Sequence, residues 1–331
     1  MSEGTAEVLI RAAFDAVEPG GFVQFTFQGG EPTLAGLNFF RHFMELETQY
    51  HKKDVGVGHA IQTNGLLLND EWADFLKKHG FLVGVSIDGN QAIHDTYRVD
   101  ATGKGTWDRV TSALALLDRY GVESNILCVT SSTVAKNPQK VYASLRKLGD
   151  HPMQFIPCLD PLEATRGCEK YSLKPDAYGR FLCGLFDCWY RDWKAGKYIS
   201  IRTFDDYLRI LMRMPPSTCA ASGACGSYLV VEGDGSLYPC DFYVLDDWKI
   251  GNIQEMSVAE ALSSPASVRF VREGSLRPEE CKTCPYYPIC RGGCKRDWTQ
   301  QRKNYYCTSF KSFFAYALPR LQEMARAAMG R

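Results

Sequence analysis

The 331-residue chain has no excess of either charge, since 38 lysines and arginines balance 38 aspartates and glutamates. A balanced chain exerts no long-range pull on nucleic acid or on an anionic membrane, which excludes both as default partners. No apolar run is long enough to span a bilayer. The opening stretch, MSEGTAEVLIRAAFDAV, carries an acid where a secretion signal needs basic residues, so a cytoplasmic location is expected. Internal repeats and low-complexity tracts are also missing. Cysteine, by contrast, is plentiful: thirteen is a high count for a chain with no secretion signal. In that setting metal ligation is a stronger reading than disulfides. Hydrophobic residues make up 45% of the sequence, enough for one large α/β domain with an appendage or for two domains.

Up to about residue 157 short β-rich runs alternate with amphipathic helices. Strands are expected at Phe22–Gln28, Gly58–Thr63, Leu82–Ile87, Ser124–Val129 and Met153–Pro157. Helices are expected near Glu3–Val17, Leu37–His51, Asp70–Lys78, Thr106–Arg119 and Pro138–Leu148. Such alternation with strongly apolar strands argues for a parallel sheet covered by helices. The segments QGGEP, QTNG, SIDG and CLDP each follow a strand, at the edge where folds of this kind place their sites. Tyr178–Gly196 reads as a further helix, with Cys183 and Cys188 as buried thiols behaving as small hydrophobes. From Cys219 onward the composition shifts to cysteine, glycine and proline, with only short strand-like pieces such as Tyr228–Val231. A region so poor in aliphatic core needs staples, which cysteine-bound metal can supply. Ser309–Ala328 reads as a closing helix.

Eight late cysteines are spaced C-x5-C-x14-C and then C-x2-C-x5-C-x3-C-x12-C. They are Cys219, Cys225, Cys240, Cys281, Cys284, Cys290, Cys294 and Cys307. Eight thiolates make two four-ligand sites, and the chemistry alone leaves tetrahedral zinc and cubane iron–sulfur clusters equally open.

This spacing, with CDF at Cys240–Phe242 and the run CxxCPYYPICRGGC, resembles the SPASM domain of the anaerobic sulfatase-maturating enzymes, a radical-SAM family. QGGEPTLAG at Gln28–Gly36 is similar to that family's SAM-binding strand and loop, and SIDG at Ser86–Gly89 matches as well. The resemblance covers nearly the whole chain. It implies an α/β fold, a partial (β/α)6 radical-SAM TIM-like barrel with a C-terminal cysteine-rich SPASM domain. The corresponding segments are a core over 1–195, a SPASM domain over 196–308 and a C-terminal helix over 309–331.

The same resemblance implies two auxiliary [4Fe-4S] clusters, one on Cys219, Cys225, Cys240 and Cys294, the other on Cys281, Cys284, Cys290 and Cys307. It places S-adenosyl-L-methionine (SAM) against the backbone of Gly30, its carboxylate on Ser86 and Arg98, and its adenine against Leu159. A guanidinium suits a carboxylate because it forks onto it with two parallel hydrogen bonds. Glu31 is suited to the ammonium group of SAM, while Gln28 and Asn64 are further candidates at the same edge. Asp241, next to Cys240, is implied as the base that deprotonates the substrate as the radical product is oxidised. The implied reaction turns a cysteine or serine of an unfolded sulfatase into Cα-formylglycine, with an electron donor such as flavodoxin or ferredoxin as a second partner.

One feature departs from the family. Its primary cluster sits on C-x3-C-x2-C, and that spacing does not occur in these 331 residues. Cys290 and Cys294 supply the first part, but Asp297 stands where the third cysteine belongs. The expectation is therefore that the family's first strand and cluster loop are missing, that the primary cluster belongs to a longer form, and that this polypeptide alone is inactive. Two rivals remain: a maturase of another ribosomal peptide using the same machinery, and a non-catalytic, metal-stabilised peptide-binding scaffold.

Overall fold

The computed structural model describes residues 1–162, 164–226 and 228–330. Five parallel strands, β1 (Phe22–Phe27), β2 (Gly56–Thr63), β3 (Phe81–Ser86), β4 (Ser124–Thr130) and β5 (Met153–Pro157), lie in the sheet order β1–β2–β3–β4–β5, the strands of a partial (β/α) barrel. Register is regular, from Phe22 opposite Gly56 to Phe27 opposite Ile61, and from Ile126 opposite Met153 to Thr130 opposite Pro157. Each polar segment singled out above follows the carboxyl end of its strand. A second sheet, β6 (Val230–Val231), β7 (Ser236–Tyr238) and β8 (Gly251–Asn252), is antiparallel and small.

Two compact units share the chain, and neither is continuous in sequence. The first holds residues 1–63, 67–83 and 224–276. Its helices start where the sequence supplies side-chain caps. Ser2 accepts the Thr5 amide ahead of α1 (Glu3–Asp15), and Asn69 accepts that of Trp72 ahead of α3 (Asp70–Lys78). Between α1 and α3 runs α2 (Leu37–Tyr50). The core under β1 and β2 is aromatic: Phe25 meets Phe43 at 5.2 Å, Phe27 meets Phe40 at 4.9 Å, and Phe40 meets Trp72 at 5.2 Å between ring centres. Edge-to-face pairs of this kind add to the stabilisation from burial alone. A second core forms around Leu237, Ile253 and Ala261, and Val8, Leu9 and Ala12 of α1 pack against it. Helix α1 is thus apolar on two sides, one toward Phe25 through Phe14 and one toward the small sheet.

The second unit holds residues 64–66, 84–223 and 277–331. Strand β4 is buried along nearly its whole length, as the apolar run SNILCVT requires. Around it stand helices Trp107–Tyr120, Pro138–Arg146, Pro175–Lys194, Arg202–Leu211 and Cys307–Ala328. Phe186, Trp189, Phe204 and Phe313 form a continuous aromatic cluster, and Trp189 donates its indole N–H to the Ile199 carbonyl at 2.7 Å. Cys188 is buried and Cys183 half-buried in the same region, and burial raises both thiols.

Several boundaries differ from the expectation. The helix placed at Tyr178 begins at Pro175, because proline suits the first helical turn, where its missing N–H has no partner to lose. The closing helix begins at Cys307, two residues earlier than its apolar pattern indicated. The cysteine-rich stretch is not limited to strand-like pieces. It contains helices Val258–Ser263 and Pro265–Gly274, the first closed by a capping box between Ser257 and Glu260. Among the described residues no helix is long and apolar enough to cross a membrane.

Candidate functional site

Within the first unit, Asp241 opens a short 3-10 turn whose N-cap is Cys240. Its carboxylate is gripped from both sides. Gln28, at the end of β1, donates its amide to Oδ2 at 2.9 Å, and the Tyr228 hydroxyl donates to Oδ1 at 2.9 Å. The same hydroxyl lies 3.3 Å from Cys240 Sγ, which in turn is 3.4 Å from Asp241 Oδ1. Burial pushes the Cys240 thiol up to about 12, against hydrogen bonds from Tyr228 and the Phe242 backbone that stabilise its thiolate. Tyr228 is raised as well, through burial and its contacts with Cys240 and Asp241, so it stays a neutral donor. The arrangement offers an oriented proton acceptor directly beside a cysteine suited to ligate metal.

The loop after β1 is built for close approach. Gly29 has φ +129°, a conformation that side chains other than glycine rarely adopt, and a Cβ on Gly30 would meet nothing within 4 Å. Glu31 caps the turn Pro32–Ala35, and its Oε1 accepts from the Thr33 amide at 3.1 Å, the Thr33 hydroxyl at 2.6 Å and the Thr63 hydroxyl at 2.8 Å. These bonds give Glu31 a part in shaping the loop.

Ser86, Arg98 and Leu159 belong to the second unit. Ser86 ends β3, and Leu159 follows β5, half-buried. Arg98 does not stand alone. Asp88 accepts its Nε at 2.5 Å and its Nη2 at 3.4 Å, and also takes the Val129 amide at 2.7 Å, so one carboxylate ties β4 to the guanidinium. Below it runs a chain of hydrogen bonds: the Asp88 amide donates to His94 Nδ1 at 3.2 Å, His94 Nε2 faces Thr106 Oγ1 at 3.0 Å, and Thr106 donates to the Arg98 carbonyl at 3.0 Å. An accepting Nδ1 requires the neutral imidazole, and burial accordingly lowers His94 to about 4. Asp88, Tyr97, Ser131, Cys158 and Tyr171 line a cavity of about 140 Å³ beside these groups.

All thirteen cysteines are free thiols. Cys281, Cys284, Cys290 and Cys307 line one cavity in the second unit. Burial raises Cys281 and Cys290, the latter to about 11, and in both cases the neighbouring thiols of the same set push further in that direction. That mutual influence marks them as one cluster of donors. Among the described residues no three His, Cys, Asp or Glu side chains close on a single ion. Four thiols spread round a common cavity form a donor set that fits a thiolate-held iron–sulfur group. Cys307 heads the final helix. Cys219 heads a single helical turn, and Cys294 caps the turn Lys295–Asp297. Cys225 and Cys240 belong to the first unit, Cys219 and Cys294 to the second. Gly274 leaves room for Cys225, since a Cβ there would come within 2.4 Å of its Sγ. Asp297, in the place of a third cysteine, is buried and faces Arg166 at 3.7 Å; burial raises its carboxyl to about 6.

Sequence reasoning missed four side chains that shape these sites. Asp88 lay inside a quoted motif without a role. Tyr228 was read only as the start of a strand. Asp206, buried on Arg202–Leu211, accepts the Ser217 amide at 2.6 Å and the Thr218 hydroxyl at 2.6 Å, fixing the turn that presents Cys219. Arg277 joins loops distant in sequence. For Asp206, Tyr228 and Arg277 no spacing or motif gives a signal, because their partners are set by the tertiary fold.

Comparison with known proteins agrees with this geometry. A model of the Radical SAM superfamily matches residues 2–137, and one of the SPASM iron–sulfur cluster-binding domain matches residues 219–285. The chain is 41% identical over 325 residues to the cysteine-type anaerobic sulfatase-maturating enzyme of Clostridium novyi, covering 97% of this chain and 86% of that protein. With the cysteine-type enzyme of Clostridium perfringens the identity is 44% over 313 residues, covering 93% and 85%. With the serine-type enzyme of Klebsiella aerogenes it is 33% over 332 residues, covering 100% and 81%. The solved structure of native anSMEcpe with bound AdoMet and Kp18Cys peptide superposes with a TM-score of 0.96 at 42% identity, covering 99% of this chain and 91% of that one.

Proposed function

The chain belongs to the anaerobic sulfatase-maturating enzymes of the radical SAM superfamily, and on that premise we propose that its chemistry is oxidation of a cysteine or serine of an unfolded sulfatase to Cα-formylglycine. The observation that carries this reading is the Asp241 carboxylate, held by two donors beside a SPASM cysteine. Such an oxidation takes a hydrogen atom from Cβ of the substrate, then a proton from its sulfur or oxygen and one electron. Serine gives the aldehyde directly, whereas cysteine gives a thioaldehyde that water hydrolyses with release of hydrogen sulfide. Bound SAM and the iron–sulfur clusters supply the hydrogen-atom and electron acceptors.

The chain's own residues place the substrate and move the proton. Asp241 is the proton acceptor, and Gln28 and Tyr228 fix its two oxygens so that the substrate meets one orientation of the base. Ser86 and Arg98 hold the SAM carboxylate, with Asp88 steering the guanidinium, while the Gly30 backbone and the Leu159 side chain flank the rest of the molecule. Cys281, Cys284, Cys290 and Cys307 hold one cluster, and Cys219, Cys225, Cys240 and Cys294 the other. Higher identity to the cysteine-type relatives than to the serine-type ones supports a thiol substrate. The setting is the cytoplasm, with a flavodoxin or ferredoxin as electron donor.

The test uses two anaerobically reconstituted forms, the 331-residue chain and the same chain with a C-x3-C-x2-C segment placed ahead of it. With reductant, SAM and a C-x-P-x-R peptide, the motif-bearing form converts the peptide cysteine to formylglycine, read by mass spectrometry. The shorter form binds iron and leaves SAM intact. A motif-bearing form that cleaves SAM yet never alters this peptide overturns the assignment.

A further inference from the structure

Arg277 lies between the helix Pro265–Gly274 and Cys281, and its guanidinium is shared among three loops. Its Nε donates to the Arg291 carbonyl at 2.9 Å, and Nη2 donates to the Gly223 carbonyl. The group also lies over the Trp298 ring, 4.9 Å from its centre. Gly223 follows Cys219, Arg291 follows Cys290, and Trp298 lies between Cys294 and Cys307. One side chain therefore grips segments that flank four of the eight SPASM cysteines.

The backbone around it is shaped for that grip. Arg291, Gly292 and Gly293 are successive left-handed residues, with φ of +51°, +87° and +67°. A non-glycine residue at such an angle is strained and needs its surroundings to hold it. The Arg291 carbonyl is what Arg277 holds. A Cβ on Gly292 would come within 2.4 Å of Arg277 Nε, and one on Gly223 within 2.6 Å of the Arg291 Cβ. Both glycines keep the slot open. Trp298 adds an indole N–H to the Gly292 carbonyl at 3.4 Å, and Asn304 an amide at 3.2 Å.

Arg277 also lines the cavity of Cys281, Cys284, Cys290 and Cys307. Other charges stand at its rim. Lys303 is paired with Glu280 at 2.9 Å, and Arg302 and Lys311 complete the set. Arg277 differs from them in being tied to backbone on two sides, so its charge cannot swing away.

We propose that Arg277 is the positioning residue of this four-cysteine site: it locks the loops that present the thiols and holds a fixed positive charge against the cluster they bind. The inference rests on the reading that these cysteines hold an iron–sulfur cluster. A fixed cation stabilises the more negative, reduced state and so raises the reduction potential. The bonds to two separate carbonyls and the ring contact need a planar guanidinium, which lysine does not replace.

The experiment compares the wild-type chain with Arg277→Lys and Arg277→Met after anaerobic reconstitution. Iron per chain, the rate of iron loss to a chelator and the reduction potential by EPR-monitored titration are measured for each. Both variants are expected to lose iron several-fold faster, because neither can clamp the loops. Only Arg277→Met is expected to move one cluster to a more negative potential, because lysine keeps the charge. If Arg277→Met fails to fold, the chelator rate of Arg277→Lys decides. Variants that match the wild type in chelator rate and potential overturn the proposal. A wild-type chain that folds yet takes up no iron overturns the underlying cluster reading instead, so the two failures are told apart.

Discussion

The side-chain amide of Gln28 reaches Oδ2 of Asp241 at 2.9 Å although 213 positions separate them. With Tyr228 on the other oxygen, the carboxylate has a donor on each side. Asp241→Asn removes the proton acceptor and is expected to slow peptide oxidation by about 10²–10⁴-fold. Tyr228→Phe and Gln28→Ala keep the base but release one oxygen each, and about a tenfold loss is expected, the scale of one hydrogen bond to a charged group. The motif-bearing form serves for all three, with formylglycine yield measured against SAM cleavage. Loss of SAM cleavage in step with peptide oxidation would place these residues elsewhere in the reaction.

Asp88 is expected to act on SAM at one remove, through Arg98. Asp88→Ala frees the guanidinium and also strips the Val129 amide of its acceptor. SAM affinity of the motif-bearing form should fall about tenfold, the worth of one charge-assisted contact. Equilibrium dialysis with labelled SAM reads it. Unchanged affinity in a folded variant would show that Arg98 keeps its position unaided.

His94 makes stability depend on pH. Its folded value is lowered from about 6.5 to about 4, chiefly by burial, because Nδ1 must stay an acceptor for the Asp88 amide. The unfolded chain takes up a proton first as pH falls. The contribution of neutral His94 is therefore fully present above about 6.5 and lost progressively toward about 4, on the order of 3 kcal/mol over the whole window. Urea unfolding at several pH values across that range should show the loss, and His94→Gln should flatten it. An equally steep profile in the variant would assign the dependence to other groups.

Iron content tests the cysteine assignment directly. The reconstituted chain is expected to hold about eight iron atoms, and Cys290→Ala about four, because one four-iron group loses a ligand. About two zinc atoms and no iron in the anaerobically prepared chain would favour the scaffold reading.

Much of the fold was legible in the sequence because its signals are local. The alternation of apolar strands with amphipathic helices placed all five strands of the barrel to within two residues, and caps such as Asn69 mark where helices begin. The late cysteines stood out for a related reason, since residue type and spacing are in the chain itself. What stayed hidden depends on partners distant in sequence. Asp206 is an ordinary helix aspartate until Ser217 and Thr218 fold back onto it. The Thr33 and Thr63 contacts by which Glu31 also braces its own loop were not visible in the sequence. The helices within 258–274 were overlooked because the surrounding glycine and cysteine content masks a short amphipathic repeat.

Helix α1 buries Val8, Leu9 and Ala12 against Leu237, Ile253 and Ala261. The two halves of this core lie more than 200 positions apart in the chain, so it can close only after the polypeptide has been made through Ala261. Until then that apolar stripe of α1 has no cover, so closure of this core is a late, order-dependent step of folding.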